Sequence, residues 1–339
     1  MARIEQVRGY LLEEALAWLL RNSGYDLITS VLPGDPWLVR SPAGLAVRGR
    51  GADHQADVLG EFAFTPPFSL PIRMFVEAKF HTTRIGLDTV RNAWATVSDV
   101  NEFDVGSHSH ARYRYVYALF STSGFTADAQ RFAVTHQISL IDLSLDVYRQ
   151  LLAAIETAAS QVHPHALGHG RVHFVRSVFR TVLDTAGNAS DVDATEPGWA
   201  LVHAAAAEML GRLQAYSGGE FLLAFPPTPF VLTLTGAGSN DIEHFIRFAA
   251  ERPEHAVHIR RGRFESETTN GWFIEPADAA DAYRLTFSLP RHIEEWITDE
   301  RQGRTNTRVL KRRLLSAIMI YRWEQGVPKV YQLRYSPAA

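Results

Sequence analysis

The chain has 339 residues, of which 46% are hydrophobic and 21% charged, an ordinary composition for one large domain or two moderate ones. Because its net charge is −3, any contact with nucleic acid must come from local basic patches. The chain contains no cysteine, which excludes disulfides, thiolate nucleophiles and cysteine-ligated metals, so any metal must bind to oxygen or imidazole.

The N-terminal segment does not have the pattern of a signal peptide, because glutamates interrupt its apolar run. No stretch of 18 apolar residues, the length that a membrane-spanning helix requires, occurs in the sequence. We therefore expect a cytoplasmic protein with no membrane partner.

The first half of the sequence alternates between helical and strand patterns. An N-terminal amphipathic helix is followed by strands, of which 54–64 and 71–80 flank a proline-rich connection and predict an antiparallel hairpin. Helical, strand, helical and strand patterns then follow at 86–103, 113–123, 125–137 and 138–144. This order predicts an α/β domain over residues 1–158, with a central mixed sheet flanked by helices.

The second half predicts a separate α+β domain over residues 172–339, after a Gly-, Pro- and His-containing linker at 159–171. Residues 307–323 have helical spacing, with Leu310 and Leu314 on an apolar stripe. The basic residues beside this stripe, Lys311 to Arg313, either contact DNA phosphates or simply face solvent.

The strand "FVEAKF", residues 75–80, carries the first functional candidates. Side chains alternate along a strand, so Glu77 and Lys79 share a face with Phe75. A carboxylate and an ammonium among bulky apolar groups both need partners. Such a pair is more often a solvated strand face, and its surroundings must decide between the two.

The preceding strand supplies a second carboxylate, Asp57, in the apolar segment "ADVLG". In an antiparallel hairpin, Asp57 and Glu77 converge at one end, where two carboxylates repel each other unless a cation lies between them. Oxygen ligands of this kind suit Mg²⁺ or Mn²⁺. Gln55 shares the strand face of Asp57 and is either a further site residue or a polar residue at the sheet end.

The first helix supplies a third carboxylate. At about 100° per residue, Glu13 lies at the edge of the leucine arc and points inward, whereas Glu14 lies on the polar side near Arg21. Glu13 is the candidate, with a solvated border residue as its alternative, and Glu14 is the fallback. Three arginines are candidates for phosphate contacts or ordinary surface residues: Arg50, Arg73 and Arg84.

These residues, in this order, resemble the PD-(D/E)XK nuclease core, especially the Mrr-like type IV restriction endonucleases and the resolvase-like branch. The resemblance also includes Gly9, Leu12, Leu19, Leu20, Gly24 and Tyr25. The later segment "ALFSTSGFTADAQRFAVTHQISLIDL" is similar to the closing strand, helix and strand of that branch. About the first 150 residues are covered, and an alanine precedes Asp57 where the motif has proline.

The resemblance implies a restriction-endonuclease-like fold and a metal-dependent DNA endonuclease. It implies that Asp57, Glu77 and the carbonyl of Ala78 ligate Mg²⁺ or Mn²⁺, with Glu13 acting directly or through water. Lys79 would orient the attacking water and stabilise developing charge. Gln55 lies in a segment that is longer than the motif of this family and is a candidate for an additional catalytic residue. By analogy alone, residues 172–339 would target or regulate the nuclease, or dock a partner protein.

Two alternatives remain open. One is a non-catalytic protein that uses a nuclease-derived fold to bind nucleic acid or a partner. The other is a structure-selective nuclease such as a junction resolvase. Many nucleases of this class cut both strands as dimers, so a homodimer is a further expectation, as is a role in defence against foreign or modified DNA.

Overall fold

The structure is a computed structural model that describes most of the chain. The described residues are 3–41, 44–63, 65, 69–103, 112–145, 148–168, 170–187, 193–219, 221–228, 231–238, 240–263, 270–289, 291–298, 303–324 and 327–337. Two compact units are present. The first unit comprises Met1–Ala129 and Ile141–Gln214, and the second comprises Gln130–Leu140 and Ala215–Ala339.

The first 219 residues contain six α-helices and eight strands within the described ranges. In chain order these are α1 (Ile4–Asn22), β1 (Tyr25–Leu27), β2 (Leu38–Ser41), β3 (Gly44–Arg48), β4 (Asp53–Gln55), β5 (Val58–Phe62), β6 (Ile72–Lys79), α2 (Leu87–Asn101), β7 (Arg114–Ser121), α3 (Ala127–His136), β8 (Ser139–Asp142), α4 (Arg149–Val162), α5 (Arg171–Val182) and α6 (Trp199–Gly219).

Five strands form a mixed sheet in the order β1-β5-β6-β7-β8. Strands β5 and β6 pair antiparallel, with Val58 opposite Val76, whereas β6 and β7 pair parallel through the crossover helix α2. Phe75 and Val76 point to opposite faces, and each is only 2% exposed, so both faces of β6 are covered. The predicted hairpin and the predicted mixed sheet flanked by helices are confirmed; residues 66–68 of the connection lie outside the described ranges.

Helix α1 is buried on more sides than an amphipathic pattern indicates. It packs against α4, α5 and the strands β1, β5 and β6. As a result Glu14, which the helical pattern predicts on the polar side, is only 2% exposed. The prediction was wrong because it allowed for one covering surface, whereas the sheet and two helices cover this helix.

The predicted continuous strand at 54–64 is broken at Ala56 and Asp57. Strand β4 belongs to a small separate sheet in the order β2-β3-β4, in which Gln55 pairs with Ala46. Strand β5 begins at Val58 and pairs with β1 and β6 instead. Gln55 and Asp57 therefore do not share one strand face, because the chain changes sheets between them.

Arg73 is a core residue, so its candidacy for phosphate contact was wrong. Its guanidinium is fully buried and donates hydrogen bonds to Asp35 at 2.5 Å, Glu61 at 3.0 Å and the Tyr115 hydroxyl at 3.0 Å. It also lies 3.4 Å from the ring centroid of Tyr113. A charge enclosed in this way is held by paired and aromatic partners and is closed to a ligand. The other two arginines are at the surface, with Arg50 paired to Glu102 and Arg84 exposed.

The second unit is built around a closed seven-stranded barrel in the order β10-β13-β12-β11-β15-β14-β9. Its strands and helices are β9 (Phe221–Phe225), β10 (Leu232–Gly236), α7 (Asp241–Glu251), β11 (Glu254–Arg263), β12 (Asn270–Pro276), β13 (Leu285–Phe287), α8 (Arg291–Thr298), α9 (Gly303–Leu315), β14 (Ala317–Glu324) and β15 (Val327–Tyr335). Its apolar core includes Leu234, Phe245, Ile274 and Ile320, all fully buried. A separate unit mixing strands and helices agrees with the α+β prediction.

Two predicted boundaries differ from the structure. The linker expected at 159–171 is instead the end of α4, a 3₁₀ turn at His163–His165 and the start of α5, apart from residue 169, which lies outside the described ranges. The helix expected at 307–323 ends at Leu315, and β14 begins two residues later. Among the described residues, no helix is long and apolar enough to cross a bilayer.

Candidate active site

A cavity of about 410 Å³ lies in the first unit beside the start of β5. Its charged and titratable lining comes from α1, from the segment before β5 and from α5. These residues are Glu13, Glu14, Asp57, His173, Arg176 and Arg180. The cavity thus joins three predicted site residues, Glu13, Gln55 and Asp57, to a helix that the sequence pattern assigns to another domain.

Asp57 is fixed against β6 by its backbone and its side chain. Its N–H donates to the carbonyl of Val76 at 3.1 Å, and its Oδ2 accepts a hydrogen bond from the Ala78 N–H at 2.8 Å. Burial raises the pKa of the Asp57 carboxyl; the Ala78 N–H opposes this rise, and the Glu77 carboxylate adds to it. Asp57 therefore lies close enough to Glu77 for the two charges to repel each other.

Glu77 is held by two donors on the same sheet. Its Oε1 pairs with the Lys79 ammonium, and its Oε2 accepts a hydrogen bond from the Tyr117 hydroxyl on β7. Burial, and next the Glu77 carboxylate, raises the pKa of Tyr117 far above its usual range, so the phenol remains a donor. Lys79 and Glu77 are each about one quarter exposed, and neither of them lines the cavity.

Glu13 lies near Asp57 and has a raised pKa. Burial raises the pKa of Glu13 to about 7; the Arg176 guanidinium, which pairs with it, lowers the pKa, and the Asp57 and Glu14 carboxylates raise it. The Asp57 carboxylate thus raises the pKa of Glu13, and the Glu77 carboxylate raises that of Asp57, so Asp57 couples electrostatically to a carboxylate of α1 and to one of β6.

Glu14 has a fully satisfied carboxylate. Its Oε1 accepts hydrogen bonds from the Nε of Arg176 at 2.6 Å and the Nε of Arg180 at 2.9 Å, and its Oε2 accepts one from the Thr185 hydroxyl at 3.1 Å. With its side chain 3% exposed and three donors around it, Glu14 is a positioning residue for α5. It does not have the open oxygen that a metal ligand requires.

The structure brings together Glu13, Asp57, Glu77 and Lys79, with the backbone of Ala78 between the last two. Ala78 contributes its N–H to Asp57, and the role of its carbonyl as a ligand stays a prediction. Gln55 lines the same cavity, although it reaches it from the small sheet on an exposed strand. His54, the neighbour of Gln55 on β4, is hydrogen-bonded to Asp99 at 2.8 Å.

Part of this set of carboxylates suits a divalent cation. Asp57 and Glu77 supply adjacent hard oxygens whose mutual repulsion a cation would relieve. Among the described residues, however, no group of three or more His, Asp or Glu side chains is arranged to hold a metal ion. The two oxygens of Glu77 are instead held by Lys79 and Tyr117, and Glu13 is paired with Arg176. A cation at Asp57 would therefore have to displace a partner of Glu77, and it would reach Glu13 only after that residue left its arginine.

Four partners of the site are absent from the sequence-based candidates. Tyr117 lies on the strand next to Glu77, and only the parallel register of β6 and β7 reveals that it faces this carboxylate. Arg176, Arg180 and Thr185 lie beyond the segment that resembles a nuclease. The spacing of His173, Arg176 and Arg180 by three and four residues is the one signal that could have found a basic helical face.

The fold and the site together define a mixed α/β protein with a cavity rich in carboxylates. No protein-family model and no curated protein matches the chain. The crystal structure of AF1548, a protein of unknown function, is similar over 62% of this chain and 99% of its own length, at 16% identity and a TM-score of 0.30. A TM-score of this size does not show that two chains share a fold, and the similarity has no bearing on the site.

Proposed function

We propose that the first unit is a metal-dependent DNA endonuclease of the PD-(D/E)XK class, acting in defence against foreign or modified DNA. The observation that carries the proposal is the placement of Asp57 beside Glu77 and Lys79 at one end of the β5–β6 hairpin, with Glu13 close to Asp57. The order helix, strands, helix, strand, helix, strand also supports it.

In this proposal Asp57, Glu77 and the carbonyl of Ala78 hold Mg²⁺ or Mn²⁺, and Glu13 completes the set after release from Arg176. The chemistry that such a cation supplies is acidification of water and neutralisation of charge at the phosphate. Lys79, held by Glu77, places an ammonium beside the scissile phosphate, and the Tyr117 hydroxyl fixes the Glu77 carboxylate. The second unit would target or regulate cleavage, or dock a partner protein.

The test is cleavage of unmodified, methylated, branched and single-stranded DNA in Mg²⁺ or Mn²⁺, with EDTA as a control. Asp57→Asn and Lys79→Ala should each lower the rate by at least about a hundredfold, the order of loss seen when a stabilising group is removed from an active site. Lys329→Ala, an exposed lysine of β15, should cut like the wild type. Folded Asp57 and Lys79 variants that cut at the wild-type rate would refute the proposal, and preference for branched DNA would favour a structure-selective nuclease.

A second candidate function is a non-catalytic protein that binds nucleic acid or a partner. The pairing of Glu77 with Lys79 and of Glu13 with Arg176 favours it, because side-chain cations already neutralise these carboxylates. Calorimetric titration with Mn²⁺ separates the two. A nuclease should bind the ion, and Asp57→Asn should abolish that binding, whereas the binding protein should show no heat that depends on Asp57.

A further inference from the structure

We infer that one face of α5, formed by His173, Arg176 and Arg180, binds the phosphodiester backbone of the DNA substrate at the cavity. The inference rests on the proposed function and assigns part of the substrate site to a helix outside the segment that resembles a nuclease. Arg180 makes the main contact.

The three residues lie on one side of α5 because they are three and four positions apart. All three line the cavity that also contains Glu13 and Asp57. The basic residues of the helix and the carboxylates therefore line one space in the first unit, where Arg176 pairs with both Glu13 and Glu14.

Arg180 is held through its Nε, and its two Nη groups can donate to a ligand. Its Nε donates to Glu14 at 2.9 Å, and among the described residues its two Nη groups make no further hydrogen bond. Its side chain is 40% exposed, so this edge of the guanidinium is open to a ligand. A planar fork with two free donors matches two oxygens of a phosphate.

Arg176 has a different position. It is bound through Nε to Glu14 and pairs with Glu13, and its side chain is 21% exposed. It becomes available for phosphate only when Glu13 turns to another cation. His173, one turn earlier, is exposed and extends the same face.

The charge of the cavity requires a cationic wall of this kind. Three carboxylates line it, and the whole chain carries a net charge of −3, so neither attracts an anionic backbone. The Glu14 carboxylate orients Arg176 and Arg180 but adds a negative charge of its own to the cavity. The two arginines reduce the repulsion that Glu13 and Asp57 exert on a phosphate.

The first test measures binding of a short labelled DNA duplex in EDTA over a series of KCl concentrations. Arg180→Gln should weaken binding about tenfold, as expected for loss of a charged hydrogen bond, and lower the slope of log K against log[KCl] by about one. The matched control is Arg212→Gln on α6, which is 46% exposed and also paired with one glutamate. Arg212→Gln removes the same charge and should change neither the affinity for DNA nor the salt slope.

The second test uses the absence of native cysteine and does not depend on the stability of an arginine variant. His173→Cys should react with a maleimide more slowly when DNA is added, because the backbone covers this face. Ala207→Cys, at an exposed position of α6, should react at one rate with and without DNA. Equal labelling of His173→Cys in both conditions would overturn the inference.

Failure of this inference differs from failure of the proposed function. If wild type cuts DNA but Arg180→Gln binds with wild-type affinity and salt slope, the backbone lies elsewhere and the nuclease stands. If neither the wild type nor Arg180→Gln binds duplex or single-stranded DNA, both the proposed function and the α5 inference are wrong. If DNA protects His173→Cys but nothing is cut in metal, α5 still binds DNA and the proposed catalysis fails.

Discussion

Two adjacent glutamates on α1 have opposite surroundings. Glu13 is partly exposed, with a raised pKa and Asp57 nearby, whereas Glu14 is enclosed by three donors. Burial and partners, rather than position in the sequence, thus separate a candidate ligand from a residue that holds α5 in place.

Glu14→Gln should destabilise the first unit by about 3 kcal/mol, because it leaves the buried Arg176 without a full counter-charge. The measurement is the free energy of unfolding in urea. The control Glu208→Gln, an exposed α6 glutamate paired with Arg212, should leave the midpoint nearly unchanged. Equal midpoints for Glu14→Gln and wild type would show that α5 is held by other contacts.

At this scale the sequence predicts the residues of the hairpin better than their neighbours. Glu77 and Lys79 on one strand face follow from strand alternation, and Asp57 beside them follows from the predicted antiparallel hairpin. Arg176, Arg180 and Tyr117 depend on which helix and strand pack beside them, and contacts across 40 or more residues in sequence leave no local pattern. Gln55 was placed wrongly because periodicity does not show where a strand changes sheets.

Among the elements, β6 and β14 show what periodicity can and cannot predict. Strand β6 has β-branched and aromatic residues between proline and polar boundaries, and it lies where the pattern predicts it. Residues 317–323 instead continue the apolar stripe of α9 by chance, since Ile318 fits both periods. Pairing with β15 over the whole length of β14 decides for a strand.

Strand β11 contains a histidine that makes the second unit sensitive to pH. The Nδ1–H of His255 donates to the Arg252 carbonyl at 2.8 Å, and its Nε2 accepts from the Tyr283 hydroxyl at 2.6 Å. Burial lowers the pKa of His255 below the ordinary histidine value of 6.5. The folded state thus binds fewer protons than the unfolded state between these two pKa values.

The stability that His255 contributes is therefore present above about pH 6.5 and is lost as pH falls through its folded pKa. The melting temperature of wild type should fall between pH 7 and pH 5, and this fall should be smaller in His255→Gln. His244→Gln, an exposed position on α7, should keep the wild-type dependence. An unchanged pH dependence in His255→Gln would mean that other groups cause it.

For the whole molecule, the pattern along the sequence predicts two domains and two compact units are present, but the Gly-, Pro- and His-containing segment at 159–171 does not divide them. That segment joins α4 to α5 within the first unit, which extends to Gln214. Residues 130–140 belong to the second unit although the flanking sequence belongs to the first. A composition pattern identifies a break in helical structure, and only tertiary packing shows whether the chain leaves the unit there.

A fragment of residues 1–158 should therefore unfold without a cooperative transition, because it loses α5, which packs against α1, and with it the partners of Glu14 at Arg176, Arg180 and Thr185. A fragment of residues 1–214 retains these donors and should melt cooperatively. Circular dichroism during heating measures the difference. Two fragments with the same sharp transition would contradict the role of α5 in stability.

The entry of α5 into the site also has a consequence for synthesis. Thr185 follows Lys79 by about one hundred residues, so at translation rates of 5–20 residues per second the cationic wall follows the hairpin by roughly 5 to 20 seconds. During this interval the nascent chain has Asp57, Glu77 and Lys79 but no arginine beside Glu14. A ribosome-bound chain can therefore complete the packing around Glu14 only after α5 has emerged, so the first unit reaches its folded state well after the hairpin has been synthesised.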